Sequence, residues 1–321
     1  MPLIQPAYNR PDQEKAPPEN AIQHVHDPCI IKEGAYYYVY STGPGVLMRR
    51  SRDLVNWEFL GQVFPGEGPK WTHDEIPGST MFWAPDIAHF NGKYHLYYSV
   101  STFGKNRSLI ALVTNRTLDP KSKDYEWKDE GKVFESFPQN DYNAIDSNVL
   151  VLGGGRLAFT FGSYWTGIKL LEAEEKTGKP RSGAPVTAIA RRPFPGAVEA
   201  PFLIRQRDYF YLFTSFDACC RGVKSTYNIR VGRAKAAEGP YRDKEGVALM
   251  DGGGTLVLSS EGRYIGPGHC AVLKDGRNHR LVFHSYDAEN NGVPTLQTRT
   301  LIWDREGWPV VKPLQVNRLL G

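Results

Sequence analysis

Five times along this chain the same short grammar recurs. A polar or proline-marked entry leads into an apolar strand, a tight turn, an aromatic strand and then further strand. The entries are His26-Asp27-Pro28, Ala84-Pro85-Asp86, Ile145-Asp146-Ser147, Glu199-Ala200-Pro201 and Gly266-Pro267-Gly268-His269. Their polar markers, Asp27, Asp86, Asp146, Glu199 and His269, stand 53 to 70 residues apart. Repeats of that length, built from strands, predict small sheets stacked around an axis. A two-sheet sandwich does not generate five similar units. The expected fold is therefore all-β, a five-bladed β-propeller in a single domain over residues 1–321, with 1–23 as an irregular arm.

Local patterns agree. YYYVYST (36–42), KYHLYYSVS (93–101), SLIALVT (108–114), RLAFTFGS (156–163), DYFYLFTSF (208–216), YNIRVGRA (227–234) and HRLVFHSY (279–286) are short and rich in aromatic and β-branched residues. Turn pairs such as Glu33-Gly34, Asn91-Gly92 and Asp275-Gly276 precede several of them. Helical patterning is scarce. The best candidate, IKLLEAEEKTG (168–178), reads equally as a strand running into a turn.

A formal net charge of +4 on 321 residues gives no footprint for nucleic acid. The local basic cluster, MRRSR at 48–52, has no interleaved aromatics and reads as a solvated turn. No run of 18 apolar residues offers a membrane span. The four cysteines, Cys29, Cys219, Cys220 and Cys270, form no CxxC pair. A bond between the adjacent Cys219 and Cys220 needs a strained ring, so all four read as free buried thiols. The first twenty residues lack the apolar core of a signal peptide. Location is left open: cytoplasmic if the chain is complete as written, secreted if a signal peptide was removed.

In a propeller the starts of the first strands converge at one mouth of the central channel. Carboxylates gathered there repel one another and their pKa values separate. A protonated and an ionised carboxyl facing one pocket is what glycoside hydrolysis needs. Aromatics on the same loops, Trp83, Phe103 and Tyr164-Trp165, suit stacking on sugar faces. Trp83 and Trp165 read equally well as packing.

The segments HDPCIIKEG, WAPDIAHFNGKYHLYYSVSTFGKN, NAID, FGSYWTG, VEAP, SFDACCRG and GPGHC carry a resemblance. Over about residues 24–310 the chain resembles glycoside hydrolase family 43, in particular its endo-1,5-α-L-arabinanases. The resemblance implies a five-bladed propeller and inverting hydrolysis of α-1,5-linked arabinofuranose chains. It implies Asp27 as the base that activates water, Glu199 as the acid and Asp146 as the group that orients the acid and raises its pKa. It places His269 at a metal ion, expected to be calcium, held largely by water in a supporting role. Substrate contacts carried over are Gly104, Asn143, Ala144, Ile145, Ser163, Tyr164 and Trp165, with Trp83 and Phe103 as stacking surfaces. Asp86 lies in a family motif but reads as structural.

The expected partner is arabinan or its oligosaccharides, with no nucleic acid, no membrane and a monomeric protein. Two rivals remain: an exo-acting arabinofuranosidase or β-xylosidase on the same fold, and a carbohydrate-binding propeller without catalysis. The chain ends soon after the fifth unit, which favours an open groove over the first rival. Retention of all three acids argues against the second.

Overall fold

The computed structural model describes residues 21–313. Among them the strands form five antiparallel sheets, each built from consecutive segments of chain. The sheets span residues 29–62, 83–136, 148–190, 198–258 and 264–311 and are called blades 1 to 5. Their first strands are Cys29–Glu33, Trp83–Phe90, Asn148–Gly153, Val198–Gln206 and Tyr264–Asp275. These touch one another in cyclic order, the fifth meeting the first. The predicted five-bladed β-propeller is therefore the observed fold.

Period-two patterning explains why the blades stack. In the second strand of blade 1, Tyr38 and Tyr40 enter the apolar cluster shared with blade 2. Tyr37 and Val39 point the other way, into the cluster shared with blade 5. In blade 2, Leu96 and Tyr98 face blade 1 while Tyr97 faces blade 3. Each blade is thus apolar on both faces, as a sheet sandwiched between two others must be. Blades 3 and 4, and blades 4 and 5, share equivalent clusters. Ring closure relies on the segment before blade 1. The Ala21 amide donates to Trp57 O, and the Leu296 amide donates to Ile22 O, linking blade 1 to blade 5. Residues 21–23 are thereby pinned; the remainder of the expected arm lies outside the described residues.

A second regularity runs around the channel. Asp27, Ala84, Asp146, Ala200 and His269 all have positive φ, between 44° and 59°. At the channel entry of every blade a non-glycine residue thus sits in the left-handed region, at a cost of about 1–2 kcal/mol each. These are the structurally equivalent positions. The sequence markers Asp86 and Glu199 are displaced from them, by two residues after Ala84 and one before Ala200.

The N–H of each left-handed residue is held by the preceding blade. Thr42 Oγ1 accepts from Ala84 N at 2.9 Å. Ser99 Oγ accepts from Asp146 N at 3.0 Å, and Ser215 Oγ from His269 N at 2.8 Å. His284 Nδ1 accepts from Asp27 N at 3.1 Å and closes the circle. Blade 3 carries Gly162 at the matching position, which has no side chain to offer. There the Asp146 carboxylate takes over, accepting from Ala200 N at 3.3 Å. No other residue fits at 162, because a Cβ would stand 2.5 Å from Gly167 O.

Two expectations are corrected, and one open reading is resolved. The MRRSR cluster is not a solvated turn: Leu47–Ser51 is a strand, and Arg49 is 2% exposed. Its guanidinium donates to Ala21 O and Gln23 O, tying down the chain before blade 1. Cys219 and Cys220 are not free buried thiols but a disulfide, with Cys220 exposed. Cys29 and Cys270 are free and buried, as expected. The 168–178 segment resolves as the strand Ile168–Glu174 followed by a turn, while among the described residues the one α-helix is Lys70–Glu75.

The ring of tethers makes a prediction. Ser99→Ala and Ser215→Ala each leave a buried amide without an acceptor, so each variant loses about 1–3 kcal/mol. Urea unfolding measures this. Losses no larger than those of surface serine variants would show that the tethers do not hold the blades.

Candidate active site

The left-handed turn at each strand start aims side chains into the channel. Asp27, Asp146 and His269 occupy three of the five positions. Pro28, Pro85 and Pro201 follow three of the turns and stiffen the exit into the strand. Blade 4 delivers its acid one residue early, where Glu199 bridges Ser163 of blade 3.

Asp27 is surrounded by one hydroxyl and three imidazoles. Its Oδ2 accepts from Thr42 Oγ1 at 2.7 Å. Its Oδ1 lies 2.8 Å from His26 Nδ1, 3.3 Å from His269 Nδ1 and 3.8 Å from His284 Nδ1. Burial alone would raise this carboxyl. The neighbouring imidazoles, His26 and then His269, more than offset it and hold Asp27 well below the usual carboxylate range. Burial also works against charge on His26, but Asp27 and Glu199 outweigh it and raise that imidazole. On the far side of its ring, His26 Nε2 lies 2.8 Å from Tyr286 Oη.

Glu199 is buried on the opposite logic. Ser163 Oγ donates to its Oε2 and Tyr227 Oη to its Oε1, each at 2.7 Å. Both bonds favour the ionised form, yet burial is the larger effect and the carboxyl is raised. Asp146 is also buried and raised well above the ordinary value, by burial first and then by Glu199 and Asp27. Two carboxyls so close share protonation rather than titrating alone. Three acids thus divide into one held ionised and two held toward the protonated form.

The other expected residues fall into two groups. Phe103, Tyr164 and Trp165 are 63%, 43% and 44% exposed, and Gly104 is exposed beside Phe103. Trp83 is half-buried at the start of blade 2. In contrast, Asn143, Ala144 and Ile145 are buried. Ala144 packs in the cluster between blades 2 and 3, so its side chain offers no surface to a ligand. Ser163 is buried and committed to Glu199. Asp86 accepts from Val149 N at 2.9 Å and Asn148 Nδ2 at 3.2 Å. It stitches blade 2 to blade 3, matching its structural reading.

His26, Tyr227, His284 and Tyr286 were not singled out from sequence. His26 adjoins Asp27 in the HDP motif, and that adjacency is the signal that could have found it. The other three sit in aromatic strand patterns indistinguishable from packing.

His26, Asp27 and His284 could hold a metal ion, since one ligand atom from each lies within 4.8 Å of the others. Two imidazoles and one carboxylate are a nitrogen-rich set, whereas calcium prefers oxygen. His284 Nδ1 already accepts the Asp27 amide, which leaves the ring proton on Nε2. That atom is buried without a partner. A buried N–H calls for an oxygen lone pair, so the cluster fits an ion that keeps water around it rather than one held by protein atoms alone. His269 is not one of the three but adjoins them through Asp27.

The raised Glu199 carboxyl predicts a pH-dependent stability. A folded-state pKa above the unfolded value means that the folded protein binds more protons in the window between them. Stability is full below the unfolded value and is lost as pH rises through the folded one. Glu199→Gln removes that loss. The variant should therefore melt higher than the parent at about pH 8, with the gap closing toward about pH 4. Thermal unfolding at both pH values checks this, and a variant destabilised equally at both would contradict it.

Comparison with known proteins completes the description. The sequence model described as glycosyl hydrolases family 43 matches residues 19–309. An extracellular exo-α-(1→5)-L-arabinofuranosidase of Cellvibrio japonicus is 41% identical, covering 92% of this chain and 89% of its own length. An extracellular endo-α-(1→5)-L-arabinanase of Bacillus subtilis is also 41% identical, covering 89% and 87%. The solved structure of a Cellvibrio cellulosa α-L-arabinanase complexed with arabinohexaose superposes with a TM-score of 0.87 at 40% identity, covering 91% of this chain and 96% of that one. With a family match over nearly the whole described fold and relatives 41% identical over most of their length, the chain belongs to glycosyl hydrolase family 43 and is a glycoside hydrolase.

Proposed function

We propose that this enzyme hydrolyses α-1,5-linked arabinofuranose chains internally and with inversion, using Asp27 as base and Glu199 as acid. The observation that carries the assignment is the opposite setting of the two carboxyls at one channel mouth. His26 and His269 outweigh burial and hold Asp27 toward the ionised form, and burial pushes Glu199 toward the protonated form. A water molecule gives a proton to Asp27 as its oxygen attacks the anomeric carbon. The bond to the leaving oxygen breaks with its electron pair, and Glu199 supplies the proton that oxygen needs. Asp146 accepts the Ala200 amide next to Glu199 and so holds the acid's backbone in place. Its own burial beside Glu199 disfavours two negative charges and keeps a proton on the pair.

Stacking surfaces for a sugar chain are at hand in Phe103, Tyr164 and Trp165, which present exposed rings on loops that follow strands of blades 2 and 3. Arabinan and its oligosaccharides are the substrates proposed.

The metal proposed is calcium. If His269 Nδ1–H faces Asp27, its Nε2 lone pair is left to ligate, a carboxylate–histidine–metal arrangement. His269 would hold the ion with water filling the remaining positions, and His284 Nε2–H would face that water shell. Such an ion would supply fixed positive charge in the channel.

An exo-acting reading is favoured by the identity with the Cellvibrio exo-arabinofuranosidase and by the likeness to a solved exo-1,5-α-L-arabinanase from a bovine ruminal metagenomic library, 40% identical with a TM-score of 0.88. Early products separate the two. On debranched linear arabinan the enzyme should release a ladder of oligosaccharides within the first minutes of reaction. Arabinose or arabinobiose alone at that stage would establish exo action. Glu199→Ala should abolish turnover while leaving oligosaccharide binding. Asp27→Ala should be inactive at every pH, because the group that activates water is gone. Near-normal turnover by either variant would overturn its assignment.

A further inference from the structure

We propose that Tyr227 is a positioning residue for Glu199: its phenol fixes the carboxyl and steadies the carboxylate left when the proton departs. The proposal rests on Glu199 being the proton donor. Tyr227 and Glu199 are both buried, and Tyr227 Oη lies 2.7 Å from Glu199 Oε1.

The ring is held from several sides. On one lies Gly268, where an added Cβ would overlap the Tyr227 ring. The glycine of the GPGHC motif is therefore the space the tyrosine occupies. His284 stands with its ring centroid 6.0 Å from that of Tyr227. The backbone just before Tyr227 is tied down as well. Thr226 N donates to Ala218 O, and Thr226 Oγ1 accepts from Ala218 N. With no room to swing, the phenol presents its hydroxyl at one place.

Ser163, on the other carboxyl oxygen, behaves differently. A serine hydroxyl rotates freely between donating and accepting. It serves the protonated acid by accepting and the ionised acid by donating. Tyr227 is the donor whose oxygen the packed ring holds in one place. Burial, reinforced by Glu199, pushes its phenol far up, so it keeps its proton. As Glu199 loses its proton to the leaving oxygen, the bond from Tyr227 strengthens, because charge-assisted hydrogen bonds are the stronger kind. The help is thus greatest as charge develops, which is where it accelerates the reaction.

The test uses the full-length enzyme on linear arabinan and on an arabino-oligosaccharide with a nitrophenol leaving group, which departs without protonation. Tyr227→Phe keeps the ring and removes the donor. We expect kcat on arabinan to fall about tenfold to hundredfold, the loss of a hydrogen bond to a charged group. KM should stay within about twofold, and turnover of the nitrophenyl substrate should be largely kept. The basic limb of kcat/KM should move to higher pH, because the bond favouring ionised Glu199 is lost.

Replacing Tyr227 by 3-fluorotyrosine preserves the packing and makes the phenol a stronger donor. It should move the same limb to lower pH, which provides a readout even if the phenylalanine variant folds poorly. Unchanged kcat and limb in both proteins would overturn the proposal, as would equal losses on both substrates. A parent enzyme that cleaves no arabinan would instead remove the functional reading on which the proposal rests.

Discussion

Each first strand of this propeller reaches the channel through a residue in the left-handed region, and the N–H of that residue is held by the blade before it. A hydroxyl from blade 1, blade 2 or blade 4 makes three of these contacts, and an imidazole from blade 5 makes the one that closes the circle. The tethers help to offset five costly backbone conformations that lie beside the site. They also determine what points inward. Where the left-handed residue is Asp or His, a functional group enters the channel; where it is Ala, none does. At Gly162 the pattern lacks its side chain, and Asp146 fills the gap. One carboxyl is thereby both a structural tether and a neighbour of the acid.

The same geometry separates the acids electrostatically. All three carboxyls are buried, and burial alone would raise each of them. What distinguishes Asp27 is its company: three imidazoles and the Thr42 hydroxyl converge on it. Glu199 is hydrogen-bonded by two neutral hydroxyls, and these with the more distant His26 stabilise its charge less than burial opposes it. A shared fold position would give similar groups, so their division of labour comes from the side chains that surround them.

Much of this was legible beforehand. Strand periodicity and the spacing of the polar markers gave the five blades, because burial on both faces forces alternating apolar residues in every unit. The HDP, NAID and VEAP motifs gave the three acids. The exact register did not show, because Asp86 and Glu199 catch the eye while the equivalent residues are Ala84 and Ala200. Arg49 read as solvated because a sequence does not show three backbone and side-chain acceptors waiting for one guanidinium. The Cys219–Cys220 bond was set aside on strain alone. Tyr227 and His284 were hidden for a further reason: in a chain whose strands are built from aromatics, a ring that packs and a ring that donates look alike.

The chemical account turns on whether Asp27 directs its charge at a water or at the sugar. Proton NMR of the reducing-end anomer, recorded in the first minutes of arabinan hydrolysis, tests this directly. Attack by a water activated at Asp27 delivers the β-anomer first from an α-linkage. First appearance of the α-anomer would mean a covalent sugar intermediate, and Asp27 would then be a nucleophile and not a base.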